Sequence, residues 1–423
     1  MKKSLFALAA VTAFAGAAQA QSSVTVYGIL DIGVGGYNTR AATGAVTTPA
    51  VNGVNKSTGT VAFDGGESTN RLGFKGTEDL GNGTSAFFTI ELGLSPDSAA
   101  LISPTAATAN STQNRQSFVG LKKNGLGDIA LGTQYTNIHN AVAKTDAGNQ
   151  NNMVGDLIYA KSTGATAGAG NTAGDSYTVR ANQMITLNSE VLSGFQAHAM
   201  AILNNNNTTQ STTVTSTSNT VSGGVNNQNG WGLGLDYTWN KLFLTANYMG
   251  LTAKNSYTDT TSNGAIVSYT AGTPAYFGVG QSGNNGTNVQ DNQAYIAGTY
   301  DFGILKAYAQ YVTRKVMAQQ DNNYYVKRNA EQIGVRSFIT PTIEAWAQGG
   351  LGRITSNGGG VGYGQPTANL TAWQIGSNYW LSKRTNLYAI YGQVGTSNVS
   401  ATVNGNPVSG NANNYGVGVR HTF

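Results

Sequence analysis

Trp231-Gly-Leu-Gly-Leu-Asp-Tyr-Thr-Trp239 decides the fold. Trp231, Leu233, Leu235, Tyr237 and Trp239 fall on one face, and Gly232, Gly234, Asp236 and Thr238 on the other. A period of two marks a β-strand, because successive side chains point to opposite sides of the sheet. In a soluble sandwich the apolar face would turn inward. Here it ends in aromatics, as the lipid face of a membrane strand does at its two interfaces. The opposite face carries glycine and a single carboxylate, which suits a water-filled interior better than a solvated exterior. Such strands must close into a barrel, since an unpaired sheet edge has no partner in hydrocarbon.

The pattern recurs along the chain. Val24, Val26, Gly28, Leu30, Ile32 and Val34 alternate with polar positions that include Asp31. Leu72 and Phe74 oppose Arg71 and Lys75; Phe88, Ile90 and Leu92 oppose Thr89 and Glu91. Ala307, Ala309 and Tyr311 oppose Lys306, Tyr308, Gln310 and Arg314. At the end, Tyr415, Val417, Val419, His421 and Phe423 alternate with Gly416, Gly418, Arg420 and Thr422. A final strand closing on an aromatic resembles the recognition signal of outer-membrane barrels, so Tyr415, Val417, Val419 and Phe423 are the expected assembly signal.

Composition agrees. The 423 residues include 56 glycines, 7 prolines and no cysteine, and only 10% are charged, against ~25% in ordinary soluble domains. The absence of cysteine excludes a disulfide scaffold and a cysteine zinc site. A net charge of +5 with dispersed signs gives no basic run for nucleic acid. Lys2 and Lys3, the apolar run Leu5 to Ala18, and Ala18-Gln-Ala20 read as an export signal over residues 1–20, leaving 21–423 as the barrel. Beyond residue 20 no apolar run approaches the ~18 residues of a spanning helix.

Connections alternate in length. Short turns fall at Leu80–Gly83, Lys123–Gly125, Asn240–Lys241, Phe302–Gly303, Thr340–Pro341 and Ser382–Arg384. Polar stretches occupy 37–69, 96–113, 136–175, 205–229, 251–290, 316–327, 354–368 and 395–413. These eight predict sixteen antiparallel strands, with short turns on the periplasmic side and long loops outside.

The sequence resembles the general porins of Gram-negative bacteria, of the β-proteobacterial type. The resemblance is carried by Val24-Thr-Val-Tyr-Gly28, Arg71-Leu-Gly-Phe-Lys-Gly76, Glu78-Asp-Leu-Gly81 and Arg115-Gln-Ser-Phe-Val-Gly-Leu121. Leu131-Gly-Thr-Gln-Tyr135, Leu381-Ser-Lys-Arg384 and Val417-Gly-Val-Arg-His-Thr-Phe423 complete it. It implies a homotrimer in the outer membrane, surrounded by lipid and lipopolysaccharide and inserted by the barrel-assembly machinery. Each barrel would pass small hydrophilic solutes and ions. The third long loop, from about Asn137 to Asp175, would fold into the lumen as a constriction.

On the resemblance, Arg71, Arg115 and Arg180 form the basic wall of that constriction, with Lys75 beside them. Asp156, Asp146, Asp175 and Glu91 form its acidic side. Alternation independently turns the arginines inward, and a charge facing lipid at mid-membrane would cost ~2–4 kcal/mol. The Pro-Glu-Phe-Gly-Gly loop signature of enteric relatives is absent, and Ile29 stands where some relatives carry lysine. Inward positions include Arg71, Lys75, Arg115, Arg180, Lys306, Arg314, Arg336 and Arg420, against Asp31, Glu91, Asp236 and Glu344. That excess predicts a weak anion preference.

A sugar-specific porin would need a row of lumenal aromatics, of which only Tyr308 and Trp346 are apparent. An adhesive barrel would act through its loops. An enzyme would need a nucleophile and base on one rim, whereas His139, His198 and His421 are scattered. No metal or organic cofactor is implied.

Overall fold

The computed structural model describes residues 23–43, 53–96, 114–160, 176–214, 219–254, 257–261, 289–319, 325–357, 367–397, 402–403, 406–407 and 410–423. The expected export segment, 1–20, lies outside them. The chain opens with β1 (Ser23–Thr43), β2 (Gly53–Asp64), β3 (Arg71–Gly81), β4 (Thr84–Gly93), β5 (Asn114–Lys123) and β6 (Gly127–Tyr135). A helix, α1 (Asn137–Thr145), precedes β7 (Arg180–Ser189), β8 (Phe195–Val214), β9 (Asn219–Trp239), β10 (Leu242–Lys254) and β11 (Tyr257–Thr261). Next come β12 (Val289–Asp301), β13 (Lys306–Ala318), β14 (Tyr325–Phe338), β15 (Ile343–Asn357), β16 (Thr367–Trp380) and β17 (Thr385–Ser397). A small hairpin, β18 (Thr402–Val403) and β19 (Asn406–Pro407), leads to β20 (Gly410–Thr422).

Neighbouring strands pair antiparallel from β3 to β10, and from β10 through β12 to β17 and β20. Strand β1 lies between β3 and β20, so the sheet closes as a ring of sixteen. Strands β2 and β11 stand outside that count. The first pairs with the loop-end half of β1, the second with the loop-end arm of β9. No helix among the described residues is long and apolar enough to cross a membrane; the strands make the crossing.

Exposure fixes which way the faces point. Trp231, Leu233 and Trp239 are 51%, 56% and 62% exposed, while Asp236 between them is 4% exposed. The barrel is therefore apolar outside and polar inside. Tyr415, Val417, Val419 and Phe423 all belong to the outer face. Phe423 closes the ring by exchanging backbone hydrogen bonds with Gly28, at 3.1 and 3.2 Å. A Cβ at Gly28 would overlap the Phe423 ring and the Arg71 carbonyl, so the first and last strands meet at a position that only glycine fills.

The strands run further than the alternation predicts. The stretch 205–229, expected as loop, is mostly the paired arms of β8 and β9, and 37–69 contains the end of β1 and all of β2. Above the membrane an Asn- and Thr-rich hairpin needs no apolar face. Its backbone groups pair across the ladder whatever the side chains are, and a period-two reading cannot see it.

Candidate functional site

Two structures meet in the lumen: a row of residues on one wall, and the third loop lying against the other. The row takes one residue from the loop end of each of five successive strands: Arg71, Glu91, Arg115, Tyr135 and Arg180. Arg115 Nε donates to Glu91 Oε1 at 2.7 Å, and its Nη2 donates to the Tyr135 hydroxyl at 2.7 Å. Arg71 Nη1 stands 3.7 Å from the same Glu91 oxygen, and Tyr27 donates to Oε2 at 3.0 Å. The Arg180 guanidinium lies 5.5 Å from the Tyr135 ring centre. Two guanidiniums thus share one carboxylate, and a third stands beside them in the row. Lys75 is exposed further toward the turn end of β3, 5.3 Å from the Tyr27 ring centre.

The third loop begins as a helix. Thr136 caps α1 by accepting from the His139 N–H, and Ile138, Ala141, Val142 and Thr145 bury one face. Its last-turn Lys144 donates to Asp236 Oδ2 at 2.7 Å, tying the helix to β9. After α1 the loop crosses the wall of β14 to β17. Gly155, at φ +108°, lies against the Trp373 carbonyl and Gly392. A Cβ at Gly392 would overlap the Val154 carbonyl, so the loop can lie flat there only on glycine.

A belt of inward glutamines holds it. Gln293, Gln310, Gln332, Gln348 and Gln374 come from β12, β13, β14, β15 and β16. Gln310 is the register partner of Gln332, and Gln348 of Gln374. Thr178 N–H donates to Gln293, Leu157 N–H to Gln332 and Gly148 N–H to Gln348. Gln374 exchanges bonds with Asn151 at 2.8 Å and donates to the Met153 and Val154 carbonyls. The residues had no signal as a set beyond one glutamine recurring on five consecutive strands.

The loop aspartates are occupied by this docking. Asp156 is 2% exposed; its Oδ1 accepts from the Ile158 and Tyr159 N–H groups and its Oδ2 from Gln348. Asp146 ends α1 and accepts from the Gln150 N–H at 2.5 Å. Neither belongs to the surface that meets the arginines. That surface is aromatic: His139 stacks on Tyr135 at 4.2 Å between ring centres, with Tyr159 and Tyr177 at 5.9 and 6.1 Å from His139. Tyr159 stands within electrostatic range of all three guanidiniums. Asp175 lies outside the described residues.

Burial and the adjacent Asp156 carboxylate hold the Asp146 carboxyl well above the usual carboxylate range. A group whose value is raised on docking favours the docked loop below its ordinary value and ceases to as pH rises through the raised one. Single-channel recordings should therefore be quiet below the raised value and grow noisier as pH rises through it, as charge appears beside Asp156. Asp146→Asn should remove that step, and its persistence in the variant would refute the assignment.

Elsewhere the inward carboxylates are matched. Arg314 forks onto Asp291 at 2.9 and 2.5 Å, Arg336 meets Glu344 at 3.1 Å, and Asp236 lies 3.3 Å from His198 as well as bonding Lys144. Residues 65–70 leave the sheet between β2 and β3 and turn inward. Their Glu67 accepts from Asn378 and Asn386, and the Glu67 and Ser68 N–H groups donate to Asp31. Asp291, Glu67 and Arg328 were not recognised in the sequence. Glu67 fell in an expected loop, Asp291 at a loop boundary, and Arg328, which donates to the Leu157 carbonyl at 2.7 Å, just beyond another.

A closed barrel with an apolar exterior, a charged lumen and a loop folded inside it defines an outer-membrane diffusion channel. The sequence profile of the Gram-negative porin family matches residues 7–399, and the chain belongs to that family. An outer membrane porin protein of Bordetella pertussis is 26% identical, with 100% of both chains covered. Outer membrane porin protein 32 of Delftia acidovorans is 33% identical over 47% of this chain and 48% of its own. Among solved structures, the anion-selective porin from Comamonas acidovorans superposes with a TM-score of 0.60 at 20% identity, covering 95% of this chain and 100% of that one. A trimer form of OmpT from Vibrio cholerae superposes at 0.55 with 14% identity, over 95% and 99% of the two chains. The protein is an outer-membrane porin, a general diffusion channel.

Proposed function

We propose that the protein forms a homotrimer of water-filled channels that pass small hydrophilic solutes and ions by diffusion, with a weak preference for anions. The observation that carries the preference is the wall row, where Arg71 and Arg115 share the carboxylate of Glu91 and Arg180 stands beside them against the Tyr135 ring. Among the described residues, the loop side chains facing it are the aromatic rings of His139, Tyr159 and Tyr177. A region of excess positive charge enriches anions locally. Solutes are released again because nothing in the row needs to bind them tightly. The channel works by passage, not by catalysis.

In the same reading, residues 1–20 direct export and are removed, and the outward face of Tyr415, Val417, Val419 and Phe423 is read by the assembly machinery. Purified protein in a planar bilayer should open in steps of three, with conductance proportional to salt. In a KCl gradient the reversal potential should take the anion-selective sign. A cation-selective sign would refute the preference, and single steps with one band in both unheated and boiled SDS would refute the trimer.

A further inference from the structure

Residues 65–70, between β2 and β3, are held as part of the wall rather than as a connection. Asp31 on β1, at 0% exposure, is what holds them. Its Oδ2 accepts from the Glu67 and Ser68 N–H groups at 2.8 and 2.6 Å, and its Oδ1 from the Tyr388 hydroxyl at 2.7 Å. Its backbone completes the grip. The carbonyl accepts from the Gly65 N–H at 2.7 Å and the Asn70 amide at 3.1 Å, and the N–H donates to Asn70 Oδ1. Arg420, the register partner of Asp31 on β20, donates to the Ser68 hydroxyl at 3.0 Å. Six residues are folded around one carboxylate.

The segment reaches two places that matter to a passing solute. The first is the wall row. Arg71 follows Asn70 directly, and its one hydrogen bond among the described residues runs from Nε to the Thr69 carbonyl, at 3.0 Å. The Glu91 carboxylate is further off, at 3.7 Å. The second is the third loop. Asn152 Nδ2 donates to the Gly65 carbonyl at 2.6 Å and to the Thr69 hydroxyl at 3.0 Å. The Asn152 N–H donates to the Gly66 carbonyl at 2.9 Å. Thr69 therefore turns its carbonyl to Arg71 and its hydroxyl to the loop.

We propose that Asp31 is a positioning residue for the constriction: through residues 65–70 it fixes the Arg71 guanidinium and the Asn152 end of the third loop at once. Groups that meet a solute keep one place only when a supporting set locks them. Asp31 meets no solute; it holds the segment that places those groups. The glutamine belt and the wall arginines stay independent of each other, and this segment serves both. The inference rests on the anion preference of the wall row and names a residue that sets it.

The test compares Asp31→Ala with Asp31→Asn in planar bilayers, by reversal potential in a KCl gradient and by current noise. Both remove one negative charge from the inner wall, and charge alone would raise the anion preference equally in the two. Positioning predicts a split. The asparagine oxygen still accepts from the Glu67 and Ser68 N–H groups, and its amide can donate to the Tyr388 hydroxyl. Asp31→Asn should therefore keep a quiet current and an anion preference no lower than the wild type. Asp31→Ala leaves those donors unpaired. Its anion-to-cation permeability ratio should fall about twofold, against the charge effect, and its current should grow noisier. Asn152→Ala should add noise without shifting the potential. Combined with Asp31→Ala it should add little more, because both cut the same tie. If Asp31→Ala does not assemble, Asn70→Ala frees the segment from β1 with every charge kept, and should lower the ratio in the same direction. Equal potentials and noise in the Ala and Asn variants, additive noise in the double variant, or an unshifted ratio in Asn70→Ala would overturn the assignment. A wild type of cation-selective sign would sink the preference alone, since the noise split between the Ala and Asn variants still decides whether Asp31 positions the loop.

Discussion

In a KCl gradient, the Arg71→Gln/Arg180→Gln channel should lose its anion preference, with the reversal potential falling to near zero. The pair is chosen because Arg115 remains to bond Glu91 at 2.7 Å; removing Arg115 itself would leave a nearly buried carboxylate held only by Arg71 and Tyr27. What remains in the row is one guanidinium and one carboxylate, a neutral pair. A unit charge at ~4 Å is worth about 1 kcal/mol even in water, roughly fivefold in local ion concentration. With two charges lost and screening over ~10 Å at 0.1 M salt, the anion-to-cation permeability ratio should fall to about one. Conductance itself should change far less, because glutamine nearly fills the space. An unaltered potential would move the selectivity filter to wider sections, where Lys75, Lys306 and Arg420 lie.

The second large effect is mechanical. Gln348→Ala/Gln374→Ala should open the constriction, giving larger and noisier single-channel currents and a raised size limit in liposome swelling. The substitutions leave the Gly148 N–H, the Asn151 amide and the Met153 and Val154 carbonyls without their wall partners. Each buried polar group left unmade costs ~1–3 kcal/mol, so the loop tip loses several kcal/mol of docking. The barrel is untouched, because both side chains point inward from strands whose ladders are complete; unchanged heat-modifiable migration in SDS would verify this. The sign of the reversal potential should survive. Wild-type currents and size limit in the double variant would show that the remaining contacts, including the glycine contact at Gly155 and Gly392, the ties of Lys144 and Arg328 and the bonds to Gln293 and Gln332, suffice to hold the loop.

What the sequence disclosed followed the range of its signals. Alternation is a local property, so Trp231 to Trp239, the barrel and the inward turn of Arg71, Arg115 and Arg180 were all legible. The family likeness added the inward third loop. Neither reached the loop's path. The helix α1 carries Ile138, Ala141 and Val142 at helical spacing behind Thr136, but nine residues within a polar stretch give too short a pattern to stand out. Asp156 looked like a pore acid because a loop aspartate is usually free, whereas two backbone N–H groups and Gln348 enclose it. Glu67 depends on a segment leaving its sheet, which no periodicity records. The glutamines could be placed on the inner face, but alternation names a face and not a partner.

Most of the loop's moorings are amides, and that choice has an electrical consequence. Gln332, Gln348 and Gln374 grip the loop without adding net charge to the lumen. The filter and its fastening are thus separate variables. Raising ionic strength should erase the ionic preference of the wall row long before it slackens the loop. A descendant channel exchanging Arg71 or Arg180 for another residue would change what it passes while keeping the same aperture.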